Sequence, residues 1–194
     1  MHLGRKMTGD RPLLVLAVQE EAQYLDTSLP VLLTGMGKVN AATALAATLA
    51  RGPLPSEIIN LGTAGALRPG LSGTHLVGTV TQHDLDSATL RALTGQTYGP
   101  PLTVGDPGGL TLATGDSFIS DETDRARLAE HASLVDMEGY ALATAAQQAG
   151  VPLRIVKHVS DDAGEEAARS WRETVAQCAR ALADWAHHNV PFYA

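Results

Sequence analysis

The chain has 194 residues, 44% of them hydrophobic, enough to bury one substantial core and too few to require two. A formal net charge of −7 excludes the basic footprint of a nucleic-acid binder, and no apolar run approaches the roughly 18 residues that cross a membrane. The opening MHLGRKMTGD lacks the apolar stretch of a secretory signal, and the single cysteine, Cys178, has no partner for an internal disulfide. A cytoplasmic protein is therefore expected, with residues 1–10 as a flexible N-terminal extension and 11–194 as one domain.

In chain order, the first element is the apolar run Leu13 to Val18, a buried strand that ends on Glu20 and Glu21. Val31 to Thr34 forms the second strand, followed by Gly35-Met36-Gly37-Lys38 and a helix over Val39 to Ala50 that Gly52 and Pro53 stop. That glycine turn is not a P-loop, because the spacing is wrong and no Ser or Thr follows the lysine. Ile58 to Leu61 is the third strand and runs into Gly62-Thr63-Ala64-Gly65. Small residues at the C-terminal end of such a strand let a ligand approach the backbone, although a tight turn alone accounts for the same four residues.

His75 to Val80 is the next strand, with His83, Asp84 and Asp86 beyond it. A metal site there lacks the further histidines at ligand spacing that it requires. Leu93 to Gly109 is rich in glycine and proline and reads as a loop. Then come a strand at Leu110 to Ala113, a helix at Glu122 to Glu130 and a strand at Leu134 to Met137 that ends on Glu138. The helix Gly139 to Ala149 is stopped by Gly150 and Pro152, and the strand Leu153 to Val159 leads to Ser160-Asp161-Asp162. A last helix, Ala167 to His187, carries Trp171 and Trp185 two heptads apart, as core packing would place them. This alternation predicts a three-layer α/β/α sandwich with a mixed, mostly parallel central sheet.

Acidic residues thus stand at three strand ends, which converge in one parallel sheet. Glycoside-type hydrolysis uses such a set: one carboxylate activates water, another delivers the proton that neutralises the leaving group, and a third binds sugar hydroxyls. Glu20 and Asp162 are read instead as solvated acids at helix starts, favoured there by the helix dipole.

Seven segments in order carry a resemblance: AVQEE (Ala17 to Glu21), TGMGKVNAA (Thr34 to Ala42), INLGTAGALRPGL (Ile59 to Leu71), HDLD (His83 to Asp86), ATGDSFIS (Ala113 to Ser120), VDMEGYALA (Val135 to Ala143) and VSDDA (Val159 to Ala163). Together they resemble the nucleoside phosphorylase and nucleosidase superfamily, most closely the 5′-methylthioadenosine/S-adenosylhomocysteine nucleosidases. The resemblance implies that Glu21 activates water and that Asp161, oriented by Ser160, protonates purine N7. It implies that Glu138 holds the ribose hydroxyls with Met137 against the sugar, that Phe118 stacks on the base, and that the backbone at Ile119 reads the base edge. Thr63, where the family usually has serine, stands with Ala64 and Gly65 on the substrate side. The family's phosphorylases carry arginines near the first and third strands; AVQEEAQYL and EIINLGTAG have none, which points to water as the nucleophile. Lys157 replaces a common arginine, retaining charge without the fork. The connection Tyr24 to Pro30 and the loop Tyr98 to Gly109 are shorter than usual. The resemblance further implies a homodimer, a small purine nucleoside as partner, no nucleic acid, no membrane, no metal and no organic cofactor. Another nucleoside such as futalosine, a phosphorylase, or a non-catalytic nucleoside-binding protein are the alternatives.

Overall fold

A computed structural model describes residues 2–26 and 28–191 of the chain. The first half contains strands β1 (His2–Gly4), β2 (Leu13–Leu16), β3 (Pro30–Leu33), β4 (Ile58–Ala66) and β5 (Thr74–Gln82), with helices α1 (Gln19–Ala22), α2 (Lys38–Arg51) and α3 (Ser87–Thr94). The second half contains β6 (Leu102–Thr103), β7 (Leu110–Thr114), β8 (Leu134–Asp136) and β9 (Leu153–Asp161), with α4 (Glu122–Ala129), α5 (Gly139–Ala149) and α6 (Ala167–Asn189).

The two-residue period of a strand sends alternate side chains of β2 to opposite layers. Leu13 and Val15 join Leu45 and Leu49 of α2 and Leu142 and Ala146 of α5 in one core. Leu14 and Leu16 join Leu182 and Ala186 of α6 in another, and α4 covers a third cluster around Val135 and Leu67. Burying a leucine fully is worth about 2 kcal/mol, and β2 alone buries three, so the middle of the sheet is firmly fixed between its helices. Helices on both faces of a mixed sheet are the architecture the sequence predicts.

The sheet order is β1-β3-β2-β4-β8-β7-β5-β6, and β9 pairs with both β4 and β5. Because β9 lies parallel to β4 and antiparallel to β5, the strands β4, β8, β7, β5 and β9 close into a ring. Strand periodicity does not encode that closure. Residues 2–4, assigned to a flexible extension from sequence, instead form an edge strand antiparallel to β3, with His2 opposite Leu32. Within or beside the segment read as a loop lie β6, paired with β5, and α3, where the Asp86 side chain accepts from Thr89 N at 3.0 Å and caps the helix. Gly95 ends α3 in the left-handed region at φ 72°, its N–H bonded to the Arg91 carbonyl.

Candidate active site

The three acids expected to converge do so. One cavity of about 260 Å³ is lined by Glu21, Glu138 and Asp161, and also by Thr63, Ala64, Gly65, Phe118, Ile119, Met137 and Ser160. Every candidate site residue taken from the sequence therefore faces the same space. Glu20 and Asp162 lie exposed outside it, as solvated acids should.

Glu21 lies in the short α1 immediately beyond β2 and is 4% exposed. Its Oε1 accepts from the backbone N–H of Thr63 at 2.7 Å and from the Thr63 hydroxyl at 2.8 Å, and Oε2 accepts from Ala17 N–H at 3.2 Å. The Thr63 hydroxyl in turn accepts from the Trp171 indole N–H at 3.0 Å. Trp171, which its spacing on the last helix assigns to the core, is thus part of the cavity wall and holds the partner of Glu21. Ala168 and Arg172, from the same helix, also line the cavity. Sequence periodicity did not mark these two.

Behind Glu21 sits Lys157, 1% exposed, with its Nζ 2.9 Å from Asp136 Oδ2. A Cβ on Gly62 would stand 3.0 Å from that ammonium and 3.5 Å from Glu21 Oε1, so this glycine leaves the room in which the charges meet. Burial pulls the Lys157 pKa down, but Asp136, Glu138 and Glu21 outweigh burial and leave it raised. Asp136 is fully occupied, accepting from the Thr114 hydroxyl at 2.6 Å and Gly139 N–H at 2.8 Å as well. It is an anchor for the floor of the site.

Glu138, 8% exposed, has a thinner set of partners, with one bond from Gly37 N–H to Oε1 at 2.9 Å. Burial, and then the nearby Asp136, push its pKa up from 4.5 to about 7. Gly37 has φ 92°, a conformation that suits glycine, and this turns its N–H inward while the next N–H, of Lys38, bonds Asp116 Oδ1 at 2.7 Å. The Lys38 ammonium reaches Asp84 at 2.6 Å, and Asp84 also accepts from Asp116 N–H at 2.8 Å. Lys38, Asp84 and Asp116 therefore clasp the turn beside Glu138 to the loop that continues into Phe118 and Ile119. Asp84 is spent on this clasp and Asp86 on the α3 cap. Among the described residues no group of three or more His, Cys, Asp or Glu side chains is disposed to hold a metal.

Asp161 owes its aim to a bulge. The pairing of β4 with β9 matches Ala64 to Val159 and then Gly65 to Asp161, so Ser160 is the extra residue. The Ser160 hydroxyl donates to Asp161 Oδ2 at 2.7 Å, and Ala163 N–H donates to Oδ1 at 2.9 Å. A side chain on Gly65 would bring its Cβ within 3.0 Å of Asp161 Oδ1, which explains the glycine opposite. Burial raises the Asp161 pKa against the lowering effect of these two hydrogen bonds, and Asp162 adds to the rise. Phe118 is 47% exposed at the cavity rim, whereas Ile119 beside it is buried.

The chain is similar to known proteins in both sequence and fold. The sequence pattern of the phosphorylase superfamily matches residues 23–110 and 109–188. The 5′-methylthioadenosine/S-adenosylhomocysteine nucleosidase of Staphylococcus carnosus is 32% identical over 209 residues, covering 94% of this chain and 90% of the relative. Its counterpart from Bacillus subtilis is 32% identical, covering 81% and 78%. Among solved structures, a mutant nucleosidase of Helicobacter pylori with 5′-methylthioadenosine in its active site superposes with a TM-score of 0.80 at 19% identity, over 93% of this chain and 98% of that one. The futalosine hydrolase of the same organism superposes with a TM-score of 0.78 at 20% identity, over 91% and 95%. At these identities the structures establish the shared fold.

Proposed function

Because this chain belongs to the phosphorylase superfamily and, within it, to the 5′-methylthioadenosine/S-adenosylhomocysteine nucleosidases, we propose that it hydrolyses the N-glycosidic bond of those two nucleosides and releases adenine. The observation that carries this reading is the meeting of Glu21, Glu138 and Asp161, from three strand ends, in one cavity.

In the reaction the bond from C1′ to the purine breaks and its electron pair leaves with the base, while Asp161 delivers a proton to N7 so that the purine departs neutral. The raised pKa of Asp161 favours the protonated acid that this step needs, and Ser160 and Ala163 fix its orientation. Water adds to the ribosyl centre and gives its proton to Glu21, whose two oxygens are held by Thr63 and Ala17. Glu138 binds the ribose hydroxyls and Met137 packs on the sugar. Phe118 stacks on the base, Ile119 offers backbone polar groups to its edge, and Ala64 and Gly65 let the substrate approach β4 closely. Water is favoured over phosphate because Lys157 is committed to Asp136 behind the wall, and no arginine is among the cavity-lining residues that β2, β4 and the turn after β2 contribute. The chemistry calls on no metal or organic cofactor.

Residues 11–194 are read as one nucleosidase unit that works as a homodimer in the cytoplasm. Met36 and Phe118 at the cavity rim and Val39 in the first turn of α2 are the exposed apolar groups that a second copy would cover. Chromatography of a nucleoside panel with and without phosphate tests the function. Free adenine and a free thioribose at a phosphate-independent rate are expected. A ribose 1-phosphate product would make the protein a phosphorylase, and tight binding without turnover would make it a nucleoside-binding protein.

A further inference from the structure

This inference rests on the nucleosidase reading above. Base, ribose and water together use Phe118, Ile119, Asp161, Met137, Glu138 and Glu21. Among the lining residues they leave unused are Ala168, Trp171 and Arg172, which form an α6 wall open to whatever extends from the 5′ carbon. Arg172 is the one basic side chain lining the cavity among the described residues, whereas Glu21, Asp136, Glu138 and Asp161 all line it. An anion entering such a space meets net repulsion unless a cation receives it.

Arg172 also differs from other arginines of α6. Arg169 is paired with Glu166 at 2.9 Å and lies 3.8 Å from Glu173. Arg180 donates to the Tyr24 hydroxyl at 2.8 Å and lies 4.1 Å from the centre of that ring. Arg172 makes no hydrogen bond or ion pair with any described residue, so among them its five N–H donors are uncommitted. Its place on the wall is nonetheless fixed. The neighbouring Trp171 is tied to Thr63 at 3.0 Å, and Thr174, two residues on, donates to the Ser160 carbonyl at 3.0 Å, so this turn of α6 is bonded to the floor of the site.

We propose that Arg172 is a specificity-determining residue that binds a carboxylate at the far end of the 5′ substituent, so that the pocket favours carboxylate-bearing 5′ side chains over the methylthio group, which has none. The amino-acid group of S-adenosylhomocysteine supplies such a carboxylate, and the acidic 5′ side of futalosine is a second source of the same chemistry. The guanidinium fork suits either, because two parallel N–H groups match the two oxygens of a carboxylate. Arg172 is exposed, so the preference is severalfold and screened by salt.

The test compares S-adenosylhomocysteine with its decarboxylated analogue and with futalosine, using the wild type, Arg172→Ala and Arg172→Lys. Binding is followed by calorimetry and turnover by chromatography. In Arg172→Ala the preference for S-adenosylhomocysteine over the decarboxylated analogue should fall about fivefold in both binding and kcat/KM, with Arg172→Lys in between. Added salt should reduce the wild-type preference in the same direction. If futalosine loses affinity in Arg172→Ala while S-adenosylhomocysteine does not, the acidic nucleoside recognised is the former. An unchanged ratio for both acids would overturn the assignment. Turnover of any adenosine thioether by the wild type tests the nucleosidase reading separately, since the binding ratios report on Arg172 even if no bond is cleaved.

Discussion

The two ends of the β4–β9 strand pair use carboxylates in opposite ways. At the N-terminal end, Glu57 just before β4 takes a bidentate bond from Arg154 of β9, with both contacts at 2.8 Å, and the same guanidinium lies 5.7 Å from the centre of the Trp185 ring. At the C-terminal end the same two strands present Thr63, Gly65, Ser160 and Asp161 around a bulge, and among the described residues no arginine is paired with Asp161. A carboxylate matched by a guanidinium is spent on holding two strands together. A carboxylate given only a hydroxyl, one N–H and a buried setting keeps a raised pKa and can trade a proton. One strand pair therefore carries an acid held in an ion pair and an acid left to hydrogen bonds alone, and the difference lies in the partners.

Replacing acids at the cavity end tests that contrast most severely. Asp161→Asn keeps the shape and removes the proton, so turnover on 5′-methylthioadenosine should fall by at least ~100-fold while the thermal unfolding midpoint stays near that of the wild type. Activity close to wild type would take Asp161 out of the mechanism. Glu138→Gln should lower kcat/KM by about tenfold or more, mainly through KM, since charge-assisted bonds to the sugar are lost.

Glu138 also gives the contrast a pH signature. Its folded pKa, about 7, lies above the ordinary 4.5, so between those values the folded state binds more protons than the unfolded state. Stability should therefore fall as pH rises through that window, and KM should rise as pH falls below about 7 because the ribose loses its ionised partner. Melting curves of the free protein from pH 5 to pH 8, with Glu138→Gln as control, check the first expectation. A slope that persists in Glu138→Gln would assign it to another group.

Smaller effects are expected from groups that only position others. Lys38→Met opens the clasp between the Gly37 turn and the Phe118 loop, and should raise KM about fivefold with little change in kcat, as measured by initial rates. An equal loss in both constants would mean that the turn acts in the chemical step. The least effect on catalysis belongs to the ion-paired end. Glu57→Gln should cost roughly 1 kcal/mol of stability by denaturant unfolding and leave kcat/KM at the wild-type value. A drop in activity there would erase the distinction between the two ends.

The meeting of Glu21 and Asp161 was legible because each ends an apolar run and both β2 and β9 run parallel to β4, whereas Glu138 follows β8, which runs antiparallel to β4 and so reaches the same cavity by a route the parallel-strand rule does not give. The groups that tune them were much less so. Trp171 sits at a spacing that suits a core position equally well, and only its hydrogen bond to Thr63 shows the second role. The occupancy of Asp136 by Lys157, Thr114 and Gly139 draws on three separate segments, and only the bond from Gly139 is local in sequence. The bulge at Ser160 is a register shift between strands ninety-odd residues apart, and α3 and β6 are short elements in or beside a stretch whose glycines and prolines resemble a plain loop. Residues 2–4 carry too few side chains to show a strand signal, yet backbone bonds to β3 attach them.

The closed ring of strands also sets an order of events during synthesis. Strand β9 must be inserted between β4 and β5, whose paired residues are made about eighty to ninety-five residues earlier, and its pairing with β4 is parallel and entirely non-local. Translation at about 5–20 residues per second keeps those earlier strands waiting several seconds with an open edge. Until Leu153–Asp161 has emerged, β4 and β5 expose unpaired backbone groups, a period in which a nascent chain is prone to stick to its neighbours. The same delay means that the cavity stays without Asp161 and without its α6 wall until the last forty or so residues are made, roughly the final fifth of the chain.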